Sequence, residues 1–457
     1  MKLDFNFSLF LYRIQFCIGI VLFILLFQVF RSDDIPNLYL LPLFYSFTLP
    51  LVKKYYGRNI CIAATIIEIT KFVRYLVLPI IYVLSDNPFV NDSTLDNNST
   101  AVRLMCYELI AVSIVMFLFS YRKTYKVDNI FSLNFSPSKS IYLLLVLWLF
   151  LIFLFGSYRE QLLNFSVATN VTIGTSSPSN NLFNIVFEIG KIYVFVILLS
   201  LINKNNKNRN FFFIIIVSIL YISSNWNDGG ESVSRWGLIV STLVSIYAIV
   251  YYYPEKIKII ISTGVIFIFI VVVASSLLKL FVWGFESMEM SDATNILMGP
   301  EMLDLYFQGV YGVSNGILAV DQYSSFVGFK NFLTEIFYHF PFAVRLFGLE
   351  HSTWAEYYFK LSVGDISKIC PNITQSAFYF GFVGSPFFSC LSASIALYLT
   401  KLMERSRDFC VRLLYIYGIF WSSLLFCVNY TVVEAHIWFC LIGVWICQFD
   451  KHNRGIC

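Results

Sequence analysis

Twelve runs of apolar residues, mostly divided by short polar or basic stretches, constrain this chain more than any other feature. They fall at about 9–30, 35–52, 59–84, 101–120, 140–157, 182–203, 210–224, 234–253, 257–282, 374–400, 410–428 and 431–449. A helix needs about 20 mainly apolar residues to cross a bilayer. Only helices and closed barrels satisfy their own backbone polar groups in hydrocarbon. The pattern predicts an all-α, polytopic integral membrane protein with about twelve transmembrane helices. Composition points the same way: 58% of residues are hydrophobic and 13% charged, where a soluble domain carries roughly 25% charged residues. The second run is interrupted by Pro36, Pro42 and Pro50, and the seventh is short.

Basic residues orient the runs. Cytoplasmic loops are enriched in Lys and Arg. With the N-terminus inside, the inner loops hold Lys53, Lys54 and Arg58; Arg122, Lys123 and Lys126; Lys204, Lys207 and Arg209; Lys256 and Lys258; and Lys401, Arg405, Arg407 and Arg412. Lys451 and Arg454 lie in the tail. The short outer loops carry only Arg31, Arg159 and Arg235, and 85–100 carries none. This alternation predicts both termini in the cytoplasm. The first run lacks a small-residue cleavage site and is expected to be a spanning helix, not a removable signal. The chain is expected to form one polytopic domain over 1–457. Residues 283–373 stand out within it as a large polar, aromatic-rich outer (periplasmic) loop.

The net charge of +4 gives no footing for nucleic acid. Ten cysteines fall mostly in or beside apolar runs, with no CxxC pair and no Cys/His metal spacing, and read as small buried hydrophobes. No metal site and no cofactor motif is present in the sequence.

Several ionisable residues lie inside the apolar runs, where each costs about 2.5–3.5 kcal/mol on insertion scales. Glu68, Lys71 and Arg74 recur every three residues and share one broad helix face. Arg103 and Glu108 sit in the fourth run, Glu188 and Lys191 in the sixth, Lys279 in the ninth, and Glu434 and His436 in the last. Each can be explained by an internal salt bridge, Glu188–Lys191 most directly. As a set, the residues favour a polar cavity opening outward, lined by Arg74, Arg103, Lys191, Glu434 and His436.

Two outward helix starts add to this. The eighth run follows Asp228-Gly229-Gly230-Glu231-Ser232-Val233-Ser234-Arg235. Ser232 or Ser234 is suited to cap that helix, whose free N–H groups favour phosphate, and Arg235 adds a bidentate donor. An interfacial Arg-Trp anchor explains the same residues. The tenth run opens on Pro371-Asn372-Ile373-Thr374, with Asn372 or Thr374 as its cap. In the large loop, His351 is part of neither an HExxH zinc motif nor a GxSxG elbow. It reads either as an ordinary loop histidine or as a base. Ile317–Val320 and Phe332–Phe342 read as short interfacial helices.

With its twelve or so helices, its one large late outer loop, the Gly-rich segment ending in Arg235 and the Pro371-to-Gly381 run, the chain resembles the Wzy-type polymerases of bacterial O-antigen and capsule assembly. Gln375 and Ser376 stand where many relatives carry an acid. The resemblance implies a metal-independent glycosyltransferase at the outer face of the bacterial inner membrane. Its substrates would be undecaprenyl-pyrophosphate-linked oligosaccharide repeat units, with the growing glycan moved onto the incoming unit. A Wzz-type chain-length regulator would be a partner. In that scheme Arg235, Arg345 and Arg159 hold the pyrophosphate, and His351 or Glu356 serves as general base. Three readings compete. An O-antigen ligase would share the fold. A lipid-linked oligosaccharide flippase would show pseudo-symmetric halves and short loops. An ion or solute transporter would need Glu68, Lys71 and Arg74 in a continuous path.

Overall fold

The computed structural model describes residues 5–28, 35–56, 61–84, 96–120, 139–154, 181–201, 207–226, 235–282, 300–324, 329–337, 340, 354, 357–358 and 370–452. Every regular element among them is helical. The first five helices are α1 (Phe5–Gln28), α2 (Leu40–Val52), α3 (Ile62–Phe72), α4 (Leu78–Leu84) and α5 (Asn98–Ser120). Five more follow: α6 (Lys139–Leu154), α7 (Asn181–Ser200), α8 (Lys207–Ser223), α9 (Arg235–Tyr252) and α10 (Ile257–Val282). The segment 283–373 contributes α11 (Pro300–Phe307), α12 (Val310–Tyr323) and α13 (Phe329–Phe337). The chain continues with α14 (Asn372–Phe380), α15 (Phe387–Arg405), α16 (Phe409–Ser423) and α17 (Tyr430–His452).

Four helices among the described residues are long and apolar enough to cross a membrane: Phe10–Gln28, Asn98–Ser120, Phe382–Arg405 and Tyr430–Phe449. A fifth is added if Trp236–Tyr252 and Pro254–Ile268, bent by 119°, count as one span. That bend falls at Tyr253–Pro254, between the two runs that the sequence separates at Lys256 and Lys258. The structure thus supports a helical membrane protein; among the described residues four or five such spans are seen, and twelve are not shown.

Three runs differ from expectation in a physically readable way. The second begins at Leu40 and forms a helix of only 13 residues with Pro50 inside it. The third is interrupted by a π turn over Val73–Val77, where the Leu78 N–H reaches back five residues to the Val73 carbonyl. The tenth breaks at Gly381, whose φ of +67° lies in the left-handed region that glycine enters without a Cβ penalty. A short 3₁₀ turn, Phe382–Gly384, follows before α15.

The chain divides into two compact units. The first comprises 1–124, 298–400 and 419–435; the second comprises 125–297, 401–418 and 436–457. In the first, α2 packs between α1 and α5, and α12 lies on α5 and α14. The segment 283–373 thus contributes helices to the first unit's core. In the second, α6, α7, α8, α9 and α10 pack in sequence order. There Tyr193 donates to the Gly443 carbonyl at 2.6 Å.

Candidate functional site: a buried polar seam

Inside the first unit, α5 and the α3–α4 run carry polar side chains along their length. Lys71 is fully buried. Its Nζ donates to Glu68 Oε1 at 2.8 Å and to Ser113 Oγ at 3.2 Å. One turn on, Arg74 Nη1 donates to Glu108 Oε2 at 2.8 Å. Ser389 Oγ donates to the other oxygen of Glu108 in a short bond. The Arg74 guanidinium lies 5.1 Å from the Phe426 ring centre and 5.6 Å from that of Tyr75. Its Nε and Nη2 have no hydrogen-bond partner among the described residues. At the N-terminal end of α5, Ser314 Oγ of α12 donates to Asn98 Oδ1 at 2.6 Å. Asn98 and Ser113 are fifteen residues apart, so the seam runs about 22 Å along α5 at 1.5 Å per residue.

The three regularly spaced ionisable residues of the third run therefore do not share one partner. Glu68 and Lys71 pair with each other, whereas Arg74 pairs across to α5. Buried pairs of this kind gain little net stability when formed, because desolvation offsets the attraction, but removing one partner costs about 3–5 kcal/mol.

Two buried carboxylates fasten α11, α12 and α13 to this frame. The first is Asp304 of α11. Its oxygens accept from the Tyr311 N–H at 3.1 Å and the Gly312 N–H at 2.9 Å. The Tyr82 hydroxyl donates to it in a short bond and accepts from the Val310 N–H at 3.0 Å. Asp304 and Tyr82 together satisfy the first three N–H groups of α12, the groups a helix leaves orphaned. Gly309 makes room for this: a Cβ there would stand 2.1 Å from Tyr82 Oη and 2.3 Å from an Asp304 oxygen. Burial pushes the Asp304 carboxyl up to about 6, against the opposing pull of its hydrogen bonds and of the Arg74 charge.

The second is Glu335 of α13, also fully buried. Its Oε1 accepts from the Trp354 N–H at 2.7 Å and the Tyr379 hydroxyl at 2.9 Å. Its Oε2 accepts from Gln375 Nε2 at 2.9 Å and the Thr431 hydroxyl at 3.3 Å. Gln375 is itself fixed, because its Oε1 accepts the Tyr430 N–H at 2.9 Å. Four donors match the roughly four lone-pair positions of a carboxylate. Glu335 is therefore a clamp, with no lone pair left to take a substrate proton. Around it Trp354, Tyr358, Cys370, Ala377 and Phe378 close an apolar cluster with Ala319 and Val320. Burial pushes the Cys370 thiol well up, in keeping with a cysteine used as a small core residue.

The sequence-predicted site residues fare unevenly. His351, Glu356, Arg345 and Arg159 lie outside the described residues, as do Ser232 and Ser234. Arg235 opens α9, and its side chain lies outside the described set. Arg74 is buried and paired, whereas Arg103 is exposed. Glu434 is buried. In the second unit Lys191 donates to Glu188 Oε1 at 2.6 Å, as the i,i+3 spacing predicts. There His436 Nδ1 and the Tyr417 hydroxyl share a hydrogen bond of 2.6 Å. The expected cap of the tenth run is not formed. Asn372 Nδ2 donates instead to the Leu425 carbonyl at 2.9 Å, and the Thr374 hydroxyl donates to the Pro371 carbonyl at 3.2 Å. Residues 372–378 are all buried, so this helix start is enclosed by protein.

Asp304, Glu335 and Tyr82 were not singled out by the sequence reading. The available signal was an acid set among apolar residues in a short amphipathic stretch, Phe329–Phe337 for Glu335 and Pro300–Phe307 for Asp304. Among the described residues no three His, Cys, Asp or Glu side chains gather as metal ligands would. No family model, no curated protein and no solved structure matches the chain.

Proposed function

We propose that the chain is a membrane polymerase. It joins undecaprenyl-pyrophosphate-linked oligosaccharide repeat units into O-antigen or capsular polysaccharide at the outer face of the bacterial inner membrane. The observation that carries this reading is the attachment of the outer segment. Glu335 pins the Trp354 backbone, and Trp354 lies three residues after His351 and two before Glu356. Trp354, which stands between two proton acceptors in the sequence, is thereby anchored to the helical frame, as suits a reaction on a membrane-bound substrate.

In the proposed reaction the acceptor hydroxyl attacks the anomeric carbon of the growing glycan. The C–O bond to pyrophosphate breaks, a glycosidic C–O bond forms, and the hydroxyl proton passes to His351 or Glu356. Undecaprenyl pyrophosphate leaves as an anion and needs charge stabilisation more than a proton. Arg235, Arg345 and Arg159 supply it, Arg235 from the start of α9, where the helix dipole adds to its charge. Deleting the gene in its host and separating the extracted surface glycan on a gel tests the reading. Core carrying a single repeat unit is expected. An unchanged ladder overturns it, and complete loss of surface glycan points to a ligase or flippase instead.

A further inference from the structure

The sequence reads Phe332–Phe342, within 283–373, as a short interfacial helix. The surface of α13, which overlaps that stretch, carries the reading further. Phe329 is 73% exposed and Val383 85% exposed, and Phe380, Phe382 and Phe387 are exposed as well. These side chains form one patch. Phe332 of α13 lies 5.0 Å from the Phe380 ring and 6.4 Å from Phe387, Phe329 lies 6.0 Å from Phe332, and Phe380 lies 4.9 Å from Phe387. Three residues on from Phe332, Glu335 commits the adjoining side of α13 to the protein.

A hydrogen bond ties this patch to a helix able to span the membrane. The Tyr107 hydroxyl donates to the Val383 carbonyl at 3.0 Å. Tyr107 lies nine residues into α5, about 14 Å along that helix. Helix α5 is one of the four helices able to cross a membrane, and Phe382 begins another. The Gly381 turn therefore sits beside the length of a span, and α13 rests on that turn through Phe332.

We infer that α13 and the Gly381 turn form an aromatic wedge seated in the lipid leaflet on their side of the membrane, with Phe329, Phe380, Phe382 and Val383 against acyl chains. Charge and polarity fit this occupant. The patch surface is aromatic and aliphatic, and the acidic residue of α13 is turned inward and fully bonded. An amphipathic helix with one apolar face gains stability by burying that face at the headgroup–acyl boundary. The inference does not depend on the polymerase reading.

Photocrosslinking tests it on the full chain in vesicles of phosphatidylethanolamine and phosphatidylglycerol. The photoreactive p-benzoylphenylalanine replaces Phe329 in one variant. In a control it replaces Asp321, an exposed residue of α12. After irradiation, mass spectrometry should find a phospholipid adduct at position 329, several-fold more abundant than at 321. No lipid adduct at 329, equal adducts at both positions, or a crosslink from 329 to another protein would each overturn the inference. The first substitution keeps an aromatic side chain at an exposed site and the second lies on an exposed surface, so folding is retained in both.

Discussion

Replacing Glu335 by glutamine changes one oxygen to an amide nitrogen, and the geometry around it makes the consequence severe. The carboxylate accepts on both sides, from the Trp354 N–H and Tyr379 hydroxyl on one and from Gln375 and the Thr431 hydroxyl on the other. An amide accepts on one side only. If its oxygen faces Trp354, its NH2 meets the NH2 of Gln375. Gln375 cannot flip, because its own oxygen holds the Tyr430 N–H. If the amide is reversed, its NH2 meets the Trp354 N–H, which cannot rotate. Either way a charge-assisted bond is lost, worth about 1.5–3 kcal/mol. Local opening at Trp354 should become about 10- to 100-fold more frequent, since 1.4 kcal/mol is a factor of ten. Hydrogen exchange of the peptide holding Trp354, followed by mass spectrometry, reads this directly. The exchanged pair Glu335→Gln with Gln375→Glu restores the pattern with its polarity reversed. Position 335 then donates to position 375, whose carboxylate still accepts the Tyr430 N–H. The double variant should therefore exchange close to wild type, and each single variant faster. A Glu335→Gln protein with wild-type exchange, or a double variant worse than both singles, would refute the clamp.

Other expectations follow from the same frame. Glu108→Gln leaves the Arg74 charge buried without its counter-ion and should destabilise the protein by about 3–5 kcal/mol, whereas Arg74→Met with Glu108→Leu should cost much less; thermal unfolding in detergent compares them. Asp304 carries a folded-state pKa of about 6 against an ordinary 3.8, so the folded protein holds its proton more tightly. Its contribution to stability is full below about pH 4 and is lost as pH rises through about 6, a change of about 3 kcal/mol. Wild type should lose stability relative to Asp304→Asn across that range, and a flat difference would remove the argument. Arg235→Ala and Arg345→Ala should each insert normally yet stop glycan growth at a single repeat. Full-length polymer from both variants would remove the pyrophosphate assignment.

Much of the helical framework was legible because apolar runs of about 20 residues have few alternatives. The i,i+3 pair Glu188–Lys191 was legible for a similar reason, since its spacing alone brings the two side chains together. The interruptions were harder. Gly381 lies within an apolar stretch with no proline beside it, and the π turn at Val73–Val77 leaves no compositional trace. The Arg74–Glu108 pairing joins residues 34 apart, which helical periodicity does not reach. Glu335 was hidden because its four donors come from three separate places in the chain, one of them a backbone N–H. The loop residues His351, Glu356, Arg345 and Arg159 were chosen for their chemistry alone.

The π turn at Val73–Val77 also matters for how this protein can change. It holds one residue more than an ordinary helical turn. Deleting a single codon there would close that turn as plain α-helix and leave Tyr82 facing Asp304, whereas deleting one between Leu78 and Tyr82 would turn Tyr82 by about 100°. In the second case Tyr82 would leave Asp304 and the start of α12 would lose its hydroxyl. The wide turn is thus the place where this run can shed a residue and still hold what is fastened to it.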